Sequence, residues 1–167
     1  MEGLTYYQQI SKIRGLVLDI DGVLTDNTIL VTDQGEFLRS MNVRDGYAIK
    51  RALDAGIKIA VISGGKSFGS KKRLEIIGIS DVYLGVEDKL PVLKQVLQNW
   101  SLSPEDIAYM GDDIMDISCM KYVGLACAPA DAVPETLEIA DYISPRKGGD
   151  TCVRDIIEKI LQAKQLW

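Results

Sequence analysis

From Arg14 onward the chain alternates short, nearly continuous apolar runs with longer stretches whose apolar residues recur every three or four positions. The continuous runs, bounded by turn residues, read as buried strands over 14–18, 57–62, 81–84, 105–110, 124–128 and 141–143. The helical spacing predicts helices over 43–55, 67–77, 87–99, 114–122, 133–139 and 152–164. In the first of these Ala48, Ile49, Ala52 and Leu53 share a face and Gly56 is the stop. Gly78 closes the second in the same way, and Pro91 falls in the first turn of the third, where proline is tolerated. Two short apolar segments, 28–32 and 36–41, flank Asp33-Gln34-Gly35 and predict a hairpin. Residues 1–12 predict a short amphipathic lead-in helix with Leu4, Tyr7 and Ile10 as its apolar points. Strand-helix alternation argues for an α/β fold: a Rossmann-like parallel sheet, helices on both faces, and a β-hairpin flap after the first strand. No repeat or linker interrupts 1–167, which reads as a single domain.

Composition narrows the chemistry. A formal net charge of −5 argues against nucleic acid or an anionic membrane as partner. No apolar run approaches the ~20 residues of a membrane span, and the start lacks a signal-peptide pattern, so a cytoplasmic protein is expected. The 3 cysteines are odd in number and lack C-x-x-C spacing, which suggests core thiols in a reducing compartment. Histidine is absent, which removes Ser-His-Asp and Cys-His catalysis and every histidine-bearing metal site. Carboxylates, lysine, hydroxyls and a hard cation remain.

Four places supply them, each at the carboxyl end of a predicted strand or the start of the helix that follows, where open α/β sheets bind ligands. Asp19 and Asp21, in Leu18-Asp19-Ile20-Asp21-Gly22, are two apart on an extended segment and so face one small volume. Like charges that close need a cation or a shared proton, although an Asx-rich turn would also use these residue types. Ser63-Gly64-Gly65 offers a hydroxyl and close backbone to an anion, or is a plain strand-to-helix turn. Lys89 opens a helix, where a cation opposes the dipole; aim at a bound phosphate would explain it, and so would solvent. Gly111-Asp112-Asp113-Ile114-Met115-Asp116 suits Mg²⁺, which takes one or two carboxylates with substrate oxygens and waters, while one of the adjacent pair can cap the next helix.

Together these groups assign a phosphoryl transfer. Asp19 attacks phosphorus, and Asp21 protonates the leaving alcohol and later deprotonates water. Mg²⁺ sits between Asp19, Asp112 and the backbone carbonyl of Asp21, and Ser63 and Lys89 take the remaining phosphoryl oxygens. The order D-I-D-G-V-L-T-D, Ser63, Lys89, G-D-D-x-x-D resembles the haloacid dehalogenase superfamily of phosphatases, over roughly 16–116. The resemblance implies a Mg²⁺-dependent phosphomonoesterase on a Rossmann-like sheet and carries over Asp19, Asp21, Ser63, Lys89, Asp112 and Asp113, with Asp113 and Asp116 supporting the metal from behind.

Nearly the whole chain resembles members without an inserted cap domain. The segment Asn42-Val43-Arg44-Asp45-Gly46 and the ending Gly148-Gly149 with Arg154-Asp155 are similar to 3-deoxy-D-manno-octulosonate 8-phosphate phosphatases. Those enzymes make the inner sugar of lipopolysaccharide. Their hairpin packs into a tetramer, and a neighbour's C-terminal segment helps close the site. The resemblance therefore implies a homotetramer acting on a small sugar acid phosphate, with substrate contacts from Asp21, Asn42, Arg44, Asp45, Gly46, Gly64, Lys66, Arg73 and Lys89. The Gly148-Gly149 pair is expected to act as a hinge for the chain end. The sequence departs from many relatives in having Gly65 where they carry arginine, and Lys71 and Lys72 where they carry arginines. Phosphatases of nine-carbon sugar acid phosphates share the same skeleton and are the alternative. A substrate with phosphate and carboxylate needs cations at both ends, for which Arg44, Lys66 and Arg73 are candidates, set against a merely solvated helix face for 71–73. A phospho-receiver module, the remote alternative, would place its acidic pair early and a lone aspartate at a later strand end.

Overall fold

The computed structural model describes residues 6–167. In chain order it contains α1 (Tyr6–Lys12), β1 (Gly15–Leu18), a hairpin of β2 (Leu30–Val31) and β3 (Phe37–Leu38), α2 (Val43–Asp54), β4 (Lys58–Ile62), α3 (Phe68–Ile77) and β5 (Asp81–Tyr83). There follow α4 (Lys89–Trp100), β6 (Ile107–Met110), α5 (Ile117–Met120), β7 (Leu125–Ala128), α6 (Pro134–Ile139), β8 (Tyr142–Ile143) and α7 (Cys152–Ala163). Leu4, at the head of the expected lead-in helix, lies outside the described residues. The six longer-range strands are all parallel, in the order β5-β4-β1-β6-β7-β8. From β1 the chain builds outward through β4 and β5, then returns to lay β6 on the other side of β1. The reversal beside β1 is the switch point at which such sheets bind ligands.

Apolar alternation along the strands sorts the two faces. Leu16, Leu18, Val61 and Met110 turn toward α2, α3 and α7, which bring Ile49, Leu74, Ile156 and Ile160. Val17, Ile62, Tyr109 and Ala126 turn toward α4 and α5, which bring Leu93, Val96, Trp100 and Met120. Every residue of β1 is buried. At about 1.5–3 kcal/mol for each large apolar side chain buried, that strand is fixed at the centre of the sheet.

Several local expectations shift. The helix expected over 114–122 is a tight turn, Ile114–Asp116, followed by the single turn of α5; Asp113 and Asp116 form a capping box at the start of that turn. The hairpin strands are 2 residues each, and Met41 packs against the core instead of joining the exposed ribbon. Gly148-Gly149 is no hinge. A Cβ at Gly148 would overlap the Gly22 carbonyl oxygen, and Gly149 N–H donates to the Val23 carbonyl at 3.0 Å. The pair is clamped against the back of the loop that carries Asp21. The chain end folds on its own helices: the Leu166 carbonyl accepts from Arg51, whose guanidinium stacks 4.8 Å from the Trp167 ring.

This backbone contact gives a direct test. Gly148→Ala forces a methyl into the Gly22 peptide, an overpacking worth about 1–3 kcal/mol. Thermal unfolding should show a fall of roughly 2–12 °C for a domain of this size, with loss of phosphatase activity alongside. An unchanged Tm and full activity would mean that the loop carrying Asp21 does not rest on this segment.

Candidate active site

Three adjacent strands deliver the central groups. β1 ends at Leu18, which pairs with Val61 of β4 and Met110 of β6. Asp19, Ser63 and Asp112 therefore emerge side by side within a residue or two of one level. The Asp19 amide still donates to the Met110 carbonyl at 3.2 Å, so the ladder holds the first of them in place. Beyond it the chain makes a wide turn over Ile20–Leu24, closed by the Thr25 amide on the Ile20 carbonyl. Gly22 sits in that turn at φ +88, and a Cβ there would strike the Asp112 carboxylate. Glycine is required on both counts: it allows the backbone conformation and admits Asp112.

A cleft of about 260 Å³ is lined by Asp19, Asp21, Ser63, Gly64, Lys89, Asp112, Asp113 and Asp116, together with Asn27, Gly65 and Met115. Lys89, first residue of α4, is buried, and its Nζ reaches Asp19 Oδ1 at 3.1 Å and Asp116 Oδ1 at 2.8 Å. Solvent is thereby excluded as its role. Burial pulls its pKa down, but the Asp116 and Asp19 carboxylates more than offset that and hold it raised. Asp19 Oδ1 also accepts the Ile20 amide at 2.7 Å.

Asp116 organises the acidic cluster. Oδ1 takes the Tyr109 hydroxyl at 2.7 Å as well as Lys89, while Oδ2 takes the amides of Asp112 and Asp113 at 3.0 and 3.3 Å. Asp113 is turned outward, with its Oδ1 accepting the Ile114 amide, so it is the capping member of the pair. Asp112 points inward, and its buried Oδ1 has no hydrogen-bond partner. Burial first, then Asp19, Asp116 and Asp113, push its pKa to about 8; burial and Asp116 push Asp19 to about 7.

Carboxylate oxygens of Asp19, Asp112 and Asp116 lie within 4.8 Å of one another. An all-oxygen donor set with an orphaned buried oxygen fits a hard divalent cation. Asp116 has four donors already, so Asp19 and Asp112 are the candidate ligands. Asp21 stands outside this group. Its carboxylate is held by Arg39 of the hairpin, Nε to Oδ1 at 2.6 Å and Nη2 to Oδ2 at 3.1 Å.

The expected substrate contacts divide. Asp21, Gly64 and Lys89 line the cleft; Lys66 lines an adjoining cavity beside the hairpin. Asn42, Arg44, Asp45, Gly46 and Arg73 do not line either. Asn42 is spent capping α2 through the Arg44 amide and donating to the Gly149 carbonyl. Asp45 is buried and caps α7 from α2, accepting the Arg154 amide at 2.8 Å, and burial raises its pKa to about 6. Gly46 makes room for Arg73, whose Nη2 would stand 3.0 Å from a Cβ there. Arg44 lines a separate surface pocket with Arg146 and Thr151. Arg39 and Tyr109 are the groups that sequence reasoning missed. Tyr109 could have been found as a hydroxyl two residues before Gly111 on a buried strand; no local pattern marks Arg39.

Comparison with known proteins agrees with this geometry. A profile of haloacid dehalogenase-like hydrolases matches residues 78–152. The chain is 41% identical to the 3-deoxy-D-manno-octulosonate 8-phosphate phosphatase KdsC of Escherichia coli K12 over 153 residues, spanning 92% of this chain and 81% of that one. The crystal structure of the Yersinia pestis 3-deoxy-D-manno-octulosonate 8-phosphate phosphatase superposes with a TM-score of 0.93 at 39% identity, covering 95% of this chain and 86% of the other. A Moraxella catarrhalis phosphatase of the same name, solved with magnesium, phosphate and KDO, gives 0.91 at 30% identity over 94% and 90%. With its candidate catalytic groups at the ends of β1, β4 and β6 and this similarity along nearly its whole length, the chain belongs to the haloacid dehalogenase-like hydrolases, in the family of 3-deoxy-D-manno-octulosonate 8-phosphate phosphatases.

Proposed function

We propose that this chain is a Mg²⁺-dependent phosphomonoesterase that releases phosphate from 3-deoxy-D-manno-octulosonate 8-phosphate in the cytoplasm, as a step toward lipopolysaccharide. The carrying observation is Asp19, held at a strand end between buried Lys89 and Asp112, whose buried oxygen lacks a partner. Asp19 attacks phosphorus as the ester oxygen departs, and Asp21 gives that oxygen its proton. Asp21 then takes a proton from water, which attacks the aspartyl-phosphate and frees Asp19 and inorganic phosphate. Lys89 and the Ser63 hydroxyl donate hydrogen bonds to the phosphoryl oxygens and stabilise the charge that develops there. Asp19 and Asp112 would hold Mg²⁺, whose charge lets both carboxylates ionise beside an anionic substrate. Asp116 keeps Lys89 and the Asp112 backbone in register, and Arg39 orients Asp21.

Substitutions at the two aspartates separate their roles. Asp19→Asn should abolish turnover, since an amide neither attacks phosphorus nor brings charge to the metal. Asp21→Asn should slow the reaction by about 10²-fold or more. Steady-state assays with an aryl phosphate read both, and near-normal activity of Asp19→Asn would exclude the covalent route.

The raised carboxylates also set a pH dependence. Near pH 4 to 8 the metal-free folded protein holds protons on Asp19 and Asp112 that the unfolded chain has lost, so stability falls as pH rises through that window. In chelator, Tm should drop between pH 6 and pH 8.5. Excess Mg²⁺ should raise Tm more at pH 8.5 than at pH 6. Thermal scans at both values check this, and a larger gain at pH 6 would contradict the assignment of these two ligands.

We propose in addition that the protein is a homotetramer. Leu30, Val31, Phe37 and Leu38 stand exposed on a two-stranded ribbon that cannot bury them. Light scattering should give about four times the 18.4 kDa chain mass. Val31→Asp with Phe37→Asp should yield monomers. A monomeric wild type at micromolar concentration would leave the ribbon without this role.

A further inference from the structure

Arg39 links the catalytic cleft to a second, larger space. Its guanidinium side chain is 9% exposed, and its Nε and Nη2 grip Asp21 along one edge. The opposite edge, Nη1 and Nη2, meets only the Phe37 carbonyl, at 3.4 Å. Arginine has five donors and two edges that each match a carboxylate, so holding Asp21 leaves one edge unspent. That residue also lines a cavity of about 640 Å³ between the hairpin and the start of α3, with Lys66, Ser67, Phe68 and Gly69 among its walls. The cavity adjoins the cleft directly, because Gly65 lines the one and Lys66 the other. Glycine at 65 leaves the guanidinium uncrowded: a Cβ there would stand 3.2 Å from Arg39 Nη2 and 3.1 Å from Asp21 Oδ2.

The charge in this space is lopsided. Lys66 lays its stem over Gly85 and has no carboxylate within ion-pair distance among the described residues. The first turn of α3 has no acidic side chain, and its N-cap Ser67 is occupied with Ser70. Glu36 is the one acidic wall residue, and its carboxylate accepts the Thr32 hydroxyl at the hairpin turn. Two cations beside a phosphate-sized cleft, one of them a preformed fork, match a substrate that carries a carboxylate away from its phosphate.

We infer that Arg39 reads the carboxylate of the sugar acid with its outer edge, assisted by Lys66, while its inner edge holds Asp21. This inference rests on the reading of the substrate given above. Specificity then comes from the hairpin, and the residue that recognises the acid is tied to the one that moves the proton. The candidates Arg44 and Arg73 have no such access, since neither lines the cleft or this cavity.

The two reaction products separate the carboxylate from the phosphate and so supply the test. Free 3-deoxy-D-manno-octulosonate and inorganic phosphate are each titrated against the Mg²⁺-loaded protein by calorimetry, which reads binding even where turnover is slow. In Arg39→Ala the sugar acid should bind about ten- to a hundredfold more weakly, and phosphate should change by less than about twofold. Arg39→Lys should recover part of the sugar-acid affinity, and Lys66→Ala should weaken the sugar acid alone, by less. Unchanged phosphate binding shows that the variants are folded. Equal weakening of both ligands, or of neither, would overturn the assignment to the carboxylate. A wild type that hydrolyses an aryl phosphate but neither binds the sugar acid nor hydrolyses its 8-phosphate would overturn the substrate reading itself, and this inference with it. A wild type that does both, with Arg39→Ala indistinguishable from it, would remove Arg39 alone.

Discussion

Three carboxylates whose oxygens lie within 4.8 Å of one another cannot all remain ionised in a buried place against one lysine. The surrounding structure distributes that conflict unevenly. Asp116 is given four donors, Lys89 among them; Asp19 and Asp112 are left raised toward neutral pH, to be settled by whatever cation arrives. The frustration is local and is carried by a sheet that does not yield, because β1 is buried from end to end and paired on both sides. A site poised to take up positive charge must be held by something indifferent to that charge, and the parallel ladder is that support.

The sequence made the sheet legible because its strands are continuous apolar runs and its helices are amphipathic; the two patterns differ in period and do not imitate each other. The clustering of Asp19, Asp21 and Asp112 in one cleft was legible for the same reason, since a strand end is a fixed address. Lys89 was readable only as an oddity, a cation where the helix dipole disfavours one, and the ion pairs with Asp19 and Asp116 supply the reason. Structural duties that depend on distant elements were not legible from neighbours in sequence. Asn42, Asp45 and Gly46 carry polar and small side chains in a row, yet capping of α2, capping of α7 and room for Arg73 consume them. Each of those duties depends on an element more than twenty residues away or on an exact cap geometry, neither of which a local pattern records. Arg39 was missed by the same rule in reverse: its partner Asp21 lies across the hairpin, 18 positions back.

The hairpin thus does two unlike things. Its outer surface is apolar and unsupported, whereas Arg39, directly after its last strand, reaches inward to the Asp21 carboxylate. A two-stranded ribbon is marginal in water by itself. Anything that steadies the ribbon, including contact with other copies of the chain, also steadies Asp21.

The loop that carries Asp21 is backed otherwise. There Gly148 and Gly149 rest on the backbone of the Gly22–Thr25 loop, peptide against peptide. Such a joint has few adjustable parts: only Asn42 on the Gly149 carbonyl, Asp131 on the Gly148 amide and Cys152 on the Val23 carbonyl bring side chains to it. The hairpin wall consists of side chains, and each one can be exchanged. Variation among descendants of this chain would accordingly fall on which molecule is accepted, while the apparatus that cleaves the phosphate is handed on nearly unaltered.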